Sequence, residues 1–305
     1  MAKRSTKIAL TYVITIVGAM AAIVGAGFLA IKYYSGSTPP MEGITPQTEV
    51  TMVNSESEYL PEPDFGKTTL IIYEAQQKMS SVSFVLTRFV PYENKLVVVP
   101  MQSDICTVSD GSTNTLYEFY RLGGSTGAVK AVEAATGIPV DNYMKFTSEN
   151  LSSFTNYMGN IDYEVPYNLV YEDAATGSST VIKAGVHTLD SDMLTKLVTF
   201  PLYNGGEEYR AKVVGTISVS LINSGAKGYL QTGRENVFNS VMNSGVETNI
   251  TRYDFEDIDP AFGYVLDNTG TPAQLVIPSG TYNENDCYVL DEEFVNALPR
   301  WFSME

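Results

Sequence analysis

Ile8 to Ile31 are 24 consecutive residues without a charged side chain, and the chain that follows them is acidic and globular in composition. As a helix rising 1.5 Å per residue the stretch reaches about 36 Å, enough to cross a hydrocarbon core of about 30 Å. Lys3, Arg4 and Lys7 precede it and only Lys32 follows closely, so the positive-inside tendency leaves residues 1–7 in the cytoplasm and the rest outside. A cleaved signal peptide is the competing reading. The apolar run is longer than the usual h-region of about 7 to 15 residues, and Phe28 to Tyr34 offers no small-x-small cleavage site, which favours an uncleaved single-pass anchor. Gly18/Ala22 and Ala21/Gly25 have a spacing that lets helices pack closely, but small residues are common in any membrane helix.

Charge narrows the partners. The first acidic residue is Glu42, so beyond Lys32 there are 15 Lys and Arg against all 35 Asp and Glu, a net charge of −20. A field of that sign repels nucleic-acid backbones and anionic headgroups unless a local basic pocket overrides it. Only seven residues precede the span and no basic helix-turn-helix follows it, so direct DNA binding is not expected. The two cysteines, Cys106 and Cys287, form no CxxC or Cys/His cluster, which argues against a zinc site. Outside the cytoplasm they are free to form a disulfide; two separate buried thiols are the alternative.

From residue 32 to Gly66 the chain is Ser, Thr, Pro, Gly and Glu with few aliphatics, a stalk that holds the domain off the membrane. Lys67 to Glu305 reads as one α/β domain. Thr68 to Tyr73, Val82 to Val90 and Lys95 to Pro100 are core strands, the last two a hairpin through Tyr92-Glu93-Asn94. Ser125 to Thr136 is a helix with Ser125 as N-cap and Gly137 at C′. Asn142 to Phe146 and Ile161 to Val165 are strands on either side of a helix over Thr147 to Met158. Further helices are expected over Leu189 to Thr199, Glu207 to Ile222, Glu235 to Asn243 and Asp291 to Leu298, and Asp254 to Asp259 reads as an acidic helix start rather than a Ca²⁺ loop. His187, the one histidine, has no nucleophile-elbow sequence to partner it and is expected to be structural. Gly123, Gly124 and Gly127 lack a phosphate-loop pattern and read as a helix entry. The 20 tyrosines suit carbohydrate stacking.

Several pieces, in order and correctly spaced, carry a resemblance: Tyr120-Arg121-Leu122-Gly123-Gly124, Ala131-Val132-Glu133, Thr136 through Phe146, Gly159 through Pro166, Gly185 through Asp190, and Tyr288 through Glu293. Together they resemble the LytR-CpsA-Psr family of cell-envelope proteins over roughly Lys67 to Leu298. The resemblance implies a three-layer α/β/α domain with a central mixed sheet. It also implies transfer of a glycopolymer from a polyprenyl-diphosphate carrier to the cell wall, with the prenyl chain in an apolar tunnel and Mg²⁺ between diphosphate and carboxylates. The chemistry calls for hard oxygen ligands and forked guanidinium groups.

The family's functional positions are mostly replaced in this chain. Its first-strand carboxylate falls on Ala75 and the one before the second strand on Ser81; the arginine and aspartate after the third strand fall on Met101 and Gln102. The family lysine falls on Thr115 and two arginines on Thr199 and Pro201, while Val213 and Val214 stand in the motif from which Arg210 survives. A one-residue or two-residue shift restores at most a single member, such as Glu74 or Asp104. The remaining ligand candidates are Arg210, with Lys212 beside it, and Arg121 next to Gly123-Gly124. The expectation is a catalytically degenerate relative that binds a polyprenyl-linked or wall glycopolymer, or assists active relatives; the alternative is a surviving Mg²⁺-dependent phosphotransferase, and no other cofactor is expected.

Overall fold

The computed structural model describes residues 59–74, 82–147, 149–151, 155, 161–172, 177 and 179–304. The proposed span at residues 8–31, most of the stalk, Ala75 and Ser81 lie outside these, as does most of the helix expected from Thr147. Among the described residues no helix is long and apolar enough to cross a membrane.

In chain order the strands are β1 (Lys67–Glu74), β2 (Val82–Val90), β3 (Lys95–Met101), β4 (Cys106–Ser109), β5 (Ser112–Thr115), β6 (Asn142–Thr147), β7 (Ile161–Val165), β8 (Leu169–Glu172), β9 (Ser179–Ile182), β10 (Gly185–Leu189), β11 (Glu247–Thr248), β12 (Ala273–Leu275), β13 (Gly280–Tyr282) and β14 (Tyr288–Leu290). The helices are α1 (Leu116–Thr136), α2 (Ser191–Val198), α3 (Gly206–Thr232), α4 (Arg234–Asn243), α5 (Arg252–Asn268) and α6 (Glu292–Trp301). A mixed six-stranded sheet in the order β11-β6-β1-β2-β3-β12 forms the centre; β1 with β6 and β3 with β12 are parallel, the other pairs antiparallel.

Both faces of this sheet are covered, which explains why its strands read as nearly continuous apolar runs rather than a polar alternation. Ile71 and Tyr73 of β1 and Val85 of β2 face α2, α3 and α4, meeting Leu197, Val214, Ile217 and Val241. Leu70, Ile72, Phe84 and Leu86 face the other way, onto Leu116, Ala128 and Val132 of α1 and Phe294 and Leu298 of α6. The β2–β3 hairpin turns through a short 3-10 segment, Pro91–Glu93, closed by Asn94 in the left-handed conformation. Asn tolerates that region better than most residues.

Two helices are longer than their sequence signals. α1 begins at Leu116, where the Thr115 hydroxyl accepts the Glu118 amide at 3.1 Å, and it breaks at Gly124 (φ 59°) before resuming at Ser125. Ser125 follows the break, yet its hydroxyl donates to Glu247 at 2.6 Å instead of capping the helix. Gly137 closes α1 at φ 69°, as expected. α3 passes Ile222 and continues to Thr232 because Asn223 is held by tertiary contacts: its Oδ1 accepts the Ala273 amide at 2.8 Å and its Nδ2 donates to the Ala273 carbonyl at 3.3 Å. Such contacts override the weak local preference of Asn-Ser-Gly against helix.

α3 lies close on the sheet because position 215 is glycine. A Cβ there would stand 2.6 Å from Pro100 Cγ and 2.8 Å from Leu275 Cδ1. Cys106 and Cys287 are bonded, which settles the alternative left open by the sequence and ties β4 to the start of β14.

Two stability predictions follow from this packing. Gly215→Ala overpacks the contact of α3 with β3 and β12 and should destabilise by about 1–3 kcal/mol, read by chemical denaturation. The disulfide closes a separation of 181 residues, so Cys106→Ser with Cys287→Ser should cost about 5 kcal/mol in the chain-entropy model, read as a lowered Tm that added reductant no longer shifts.

Candidate functional site

Arg210, the arginine that the sequence resemblance aligns with a family position, is near the start of α3 and only 4% exposed. A buried guanidinium needs acceptors for its donors, and Nη2 of this one has them. Its Nη2 donates to the Val82 carbonyl at the start of β2 (3.2 Å), to Ser103 Oγ after β3 (2.9 Å), and to the Glu207 carboxylate one turn back. Ser103 Oγ in turn donates to Glu207 at 2.6 Å. Within the group Glu207 balances the charge of Arg210.

Beside it are two buried oxygens without hydrogen-bond partners, Gln102 Oε1 and Asp104 Oδ1. The other Asp104 oxygen accepts the Tyr282 hydroxyl at 2.6 Å. Burial raises the Asp104 carboxyl above its ordinary range; the Tyr282 bond opposes this and the Glu207 charge adds to it. Burial, and then the bond to Asp104, raises Tyr282 as well. The C-terminal hairpin thus clamps the segment after β3, through Tyr282 on Asp104 and through the Cys106–Cys287 bridge.

A second polar group stands at the ends of β1 and β6. Lys145 Nζ meets Glu247 at 2.5 Å and Glu74 at 3.6 Å. Burial opposes its charge, but the two carboxylates outweigh burial and hold the ammonium above its ordinary value. Of the two acids that a shifted alignment would restore, Glu74 therefore pairs with Lys145, and Asp104 stands by Arg210.

Gln102 belongs to the group around Arg210; the other candidates do not converge on it. Met101 is buried in the core under α1 and α6, and Gln102 is 3% exposed. Thr115 caps α1. Thr199 is buried just after α2, its hydroxyl donating to the Thr195 carbonyl at 2.6 Å, and Pro201 follows it half-buried. Arg121 is exposed on α1 and forked onto Glu118 at 2.7 and 2.9 Å. Lys212 is exposed, two positions along α3 from buried Arg210 and so on a different side of the helix. His187 is half-buried on β10, its Nε2 2.7 Å from the Lys183 carbonyl. The acidic run opens α5, where Thr251 and Asp254 form a reciprocal capping box.

Tyrosines gather near Arg210. Tyr209 has its ring centroid 5.9 Å from Tyr167 and 5.7 Å from Tyr203, and Tyr167 OH accepts the Asn204 amide at 3.2 Å. Tyr163 joins the group, its hydroxyl pushed up to about 12, chiefly by burial. Half-buried rings with polar tips are the kind of surface on which sugars stack.

A cavity of about 250 Å³ lies over the opposite ends of β1, β2 and β3. Its floor is Ile71, Phe89 and Met144; Ile222, Phe238 and Phe262 wall it from α3, α4 and α5. Phe89 stacks on Phe262 at 4.5 Å and Phe238 on Phe255 at 4.3 Å. None of Gln102, Ser103, Asp104, Glu207 and Arg210 lines it. Sequence reading missed these aromatics, because single Phe residues on amphipathic helices look the same whether they face a packed core or an open cavity.

Comparison with known proteins places the chain. The model of the LytR_cpsA_psr family matches residues 69–288. A crystal structure of a protein from Eubacterium siraeum described as a transcription regulator superposes with a TM-score of 0.70 at 21% identity, covering 88% of this chain and 100% of that one. Bacillus subtilis TagV gives 0.62 at 16% identity, over 79% of this chain and 97% of that one. TagT bound to LI-WTA gives 0.57 at 16% identity, over 78% and 90%. At these identities the superpositions speak for the fold alone. An uncharacterized protein of Staphylococcus aureus is 25% identical over 114 residues, which is 37% of this chain and 28% of that protein, so the chain spans little more than a quarter of that relative's length. The family match runs from β1 to the first residue of β14 and takes in the sheet, the Arg210 node and the cavity, so the chain belongs to the LytR_cpsA_psr family.

Proposed function

We propose that this is a single-pass membrane protein with a cytoplasmic N-terminus and an extracytoplasmic domain of three-layer α/β/α type, which binds a polyprenyl-linked or wall glycopolymer in cell-envelope biogenesis without turning it over. The observation that carries the reading is the engagement of Arg210 Nη2 by Glu207. A family arginine that met a diphosphate would need its charge and donors directed at the ligand; here Glu207, Ser103 and the Val82 carbonyl take those of Nη2, and Glu207 balances the charge. Losing one such charged contact commonly costs two to three orders of magnitude in rate, and Met101, Gln102, Thr115, Thr199 and Pro201 represent several losses at once.

The side chains around Arg210 fit Mg²⁺ poorly. The ion asks for several hard oxygens in near-octahedral array. Among the described residues no three or more His, Cys, Asp or Glu are placed so that they could hold a metal ion; Glu207 is engaged by Arg210, burial favours the protonated form of Asp104, and Gln102 supplies only a neutral oxygen. No reaction step is assigned through the ion.

Binding, in contrast, has surfaces to use. The apolar cavity suits an isoprenoid segment, and the tyrosines around Tyr209 suit sugars. That TagT holds LI-WTA on a related fold supports a ligand of that kind. Active family relatives are the protein partners this reading implies, and with the domain's strong negative charge nucleic acid is not among them.

The reading is tested on the full chain by thermal stability with a short-chain prenyl diphosphate, with and without Mg²⁺, alongside assay of phosphate release. The expected result is a raised Tm by mass action, independent of Mg²⁺, with the ligand recovered intact. Mg²⁺-dependent turnover abolished by Arg210→Ala would establish the alternative, an active phosphotransferase that ligates glycopolymer to the wall.

A further inference from the structure

Asn204-Gly205 is the one Asn-Gly pair in the chain. It lies in the turn that leads into α3, closed by the Gly206 amide donating to the Tyr203 carbonyl at 2.9 Å, and both of its residues are exposed. An asparagine carboxamide is one methylene from the main chain, so the nitrogen of the next residue is within reach of Cγ. Glycine in that next position puts no side chain in the way. Whether the two atoms meet then depends on whether the fold holds the N–H or the carboxamide elsewhere.

Among the described residues, neither the Gly205 N–H nor the Asn204 carboxamide has a hydrogen-bond partner. Only the main-chain N–H of Asn204 is engaged, donating to Tyr167 OH at 3.2 Å. Other asparagines are tied. Asn223 is bonded at both ends of its amide to Ala273. Asn249 accepts the Tyr143 amide at 2.8 Å and donates to the Asp141 carbonyl at 3.1 Å. Asn243, which precedes Ser244, is the last residue of α4, with its backbone held in helical form. Packing also keeps position 205 bare: a Cβ there would stand 2.6 Å from Tyr209 Cβ. The close approach that seats Tyr209 is therefore what leaves Asn204 open to attack.

We propose that Asn204 is a self-modification site. The Gly205 nitrogen gives its proton to solvent base and attacks Asn204 Cγ; a C–N bond forms, and the carboxamide nitrogen takes a proton from solvent and leaves as ammonia. Water then opens the resulting succinimide. Breaking the new C–N bond gives aspartate, and breaking the original peptide C–N bond gives isoaspartate. Water is the sole co-reactant and nothing is oxidised or reduced. Either product adds a negative charge just before α3. The aspartyl form keeps the main chain and sets its acid at a helix N-terminus, where negative charge is favourable. The isoaspartyl form inserts a methylene into the turn that joins Tyr203 to Gly206, and so disturbs the seating of Tyr167 and Tyr203 on Tyr209. The chemistry stands apart from the reading of these tyrosines as a sugar surface; only its effect on a ligand there rests on that reading.

The test incubates the full-length protein in mildly alkaline buffer, digests samples with pepsin in acid, and follows each asparagine peptide by mass spectrometry. Isoaspartate is read by methyl transfer from S-adenosylmethionine. The peptide carrying residue 204 should exchange NH2 for OH ahead of those carrying Asn223, Asn243 and Asn249, and faster as pH rises. It should convert no more than about thirtyfold more slowly than a synthetic peptide of Phe200 to Glu208, the most that ordering one residue's backbone withholds. Asn204→Gln, which would have to close a larger ring, should stop the growth of the more anionic species on ion exchange. Asn204→Asp should hold the Tm of fresh protein, and the isolated isoaspartyl fraction should melt lower. A residue-204 peptide that keeps its amide while another asparagine converts, or protection well beyond that factor, overturns the site. Equal melting of aspartyl and isoaspartyl fractions overturns the effect assigned to the turn.

Discussion

β2 is buried at all nine of its positions, and the rest of the structure follows from that. A strand with no solvent face must be paired on both edges and covered on both sides, so β1 and β3 flank it, α1 and α6 cover one face, and α2, α3 and α4 the other. Arg88, the one charge on the strand, is 8% exposed and made tolerable by Thr68 Oγ1 at 3.0 Å and Asp141 at 3.8 Å. Burial lowers its pKa and the Asp141 charge opposes the loss. A buried charge survives only with such partners.

The two ends of that strand have different chemistry. At Val82 a backbone carbonyl is left for Arg210, and around it collect Glu207, Ser103, Gln102 and Asp104, a polar group with its own internal neutralisation. At Phe89 the covering helices stand off the sheet and leave an apolar space. Between the two, Tyr73, Val85, Val98, Val214 and Ile217 are packed in a continuous core, with Tyr73 OH 3.3 Å from Ser218 Oγ inside it. Polar node and apolar cavity are thus separate features of one sheet.

Much of the fold was legible because burial leaves a direct trace in composition. The apolar runs gave β1, β2, β3, β6 and β7 within a residue or two, and the segments read as helices over Leu189 to Thr199, Glu235 to Asn243 and Asp291 to Leu298 are α2, α4 and α6. The errors fall where contacts distant in sequence outweigh local preference: Asn223 bonded to Ala273 carries α3 past a Ser-Gly pair, and Glu247 draws the Ser125 hydroxyl away from a capping role. β8 with β9 and β13 with β14 carried too little periodicity to be read.

For the site, the sequence by itself determined which groups are present: an acidic chain, an arginine at 210, and no charged side chain at Ala75, Ser81, Met101, Gln102, Thr115, Thr199 or Pro201. It also determined the family pattern, since glycines, prolines and apolar spacings are local. Only the tertiary structure decided what those groups do. Glu207 is three residues from Arg210 and Ser103 more than a hundred, yet both bind it; Cys106 and Cys287 are joined; and Arg234 meets Asp259 across two helices. Pairing of charges and the shape of an empty space depend on distances between elements, and no local pattern in a chain encodes those distances.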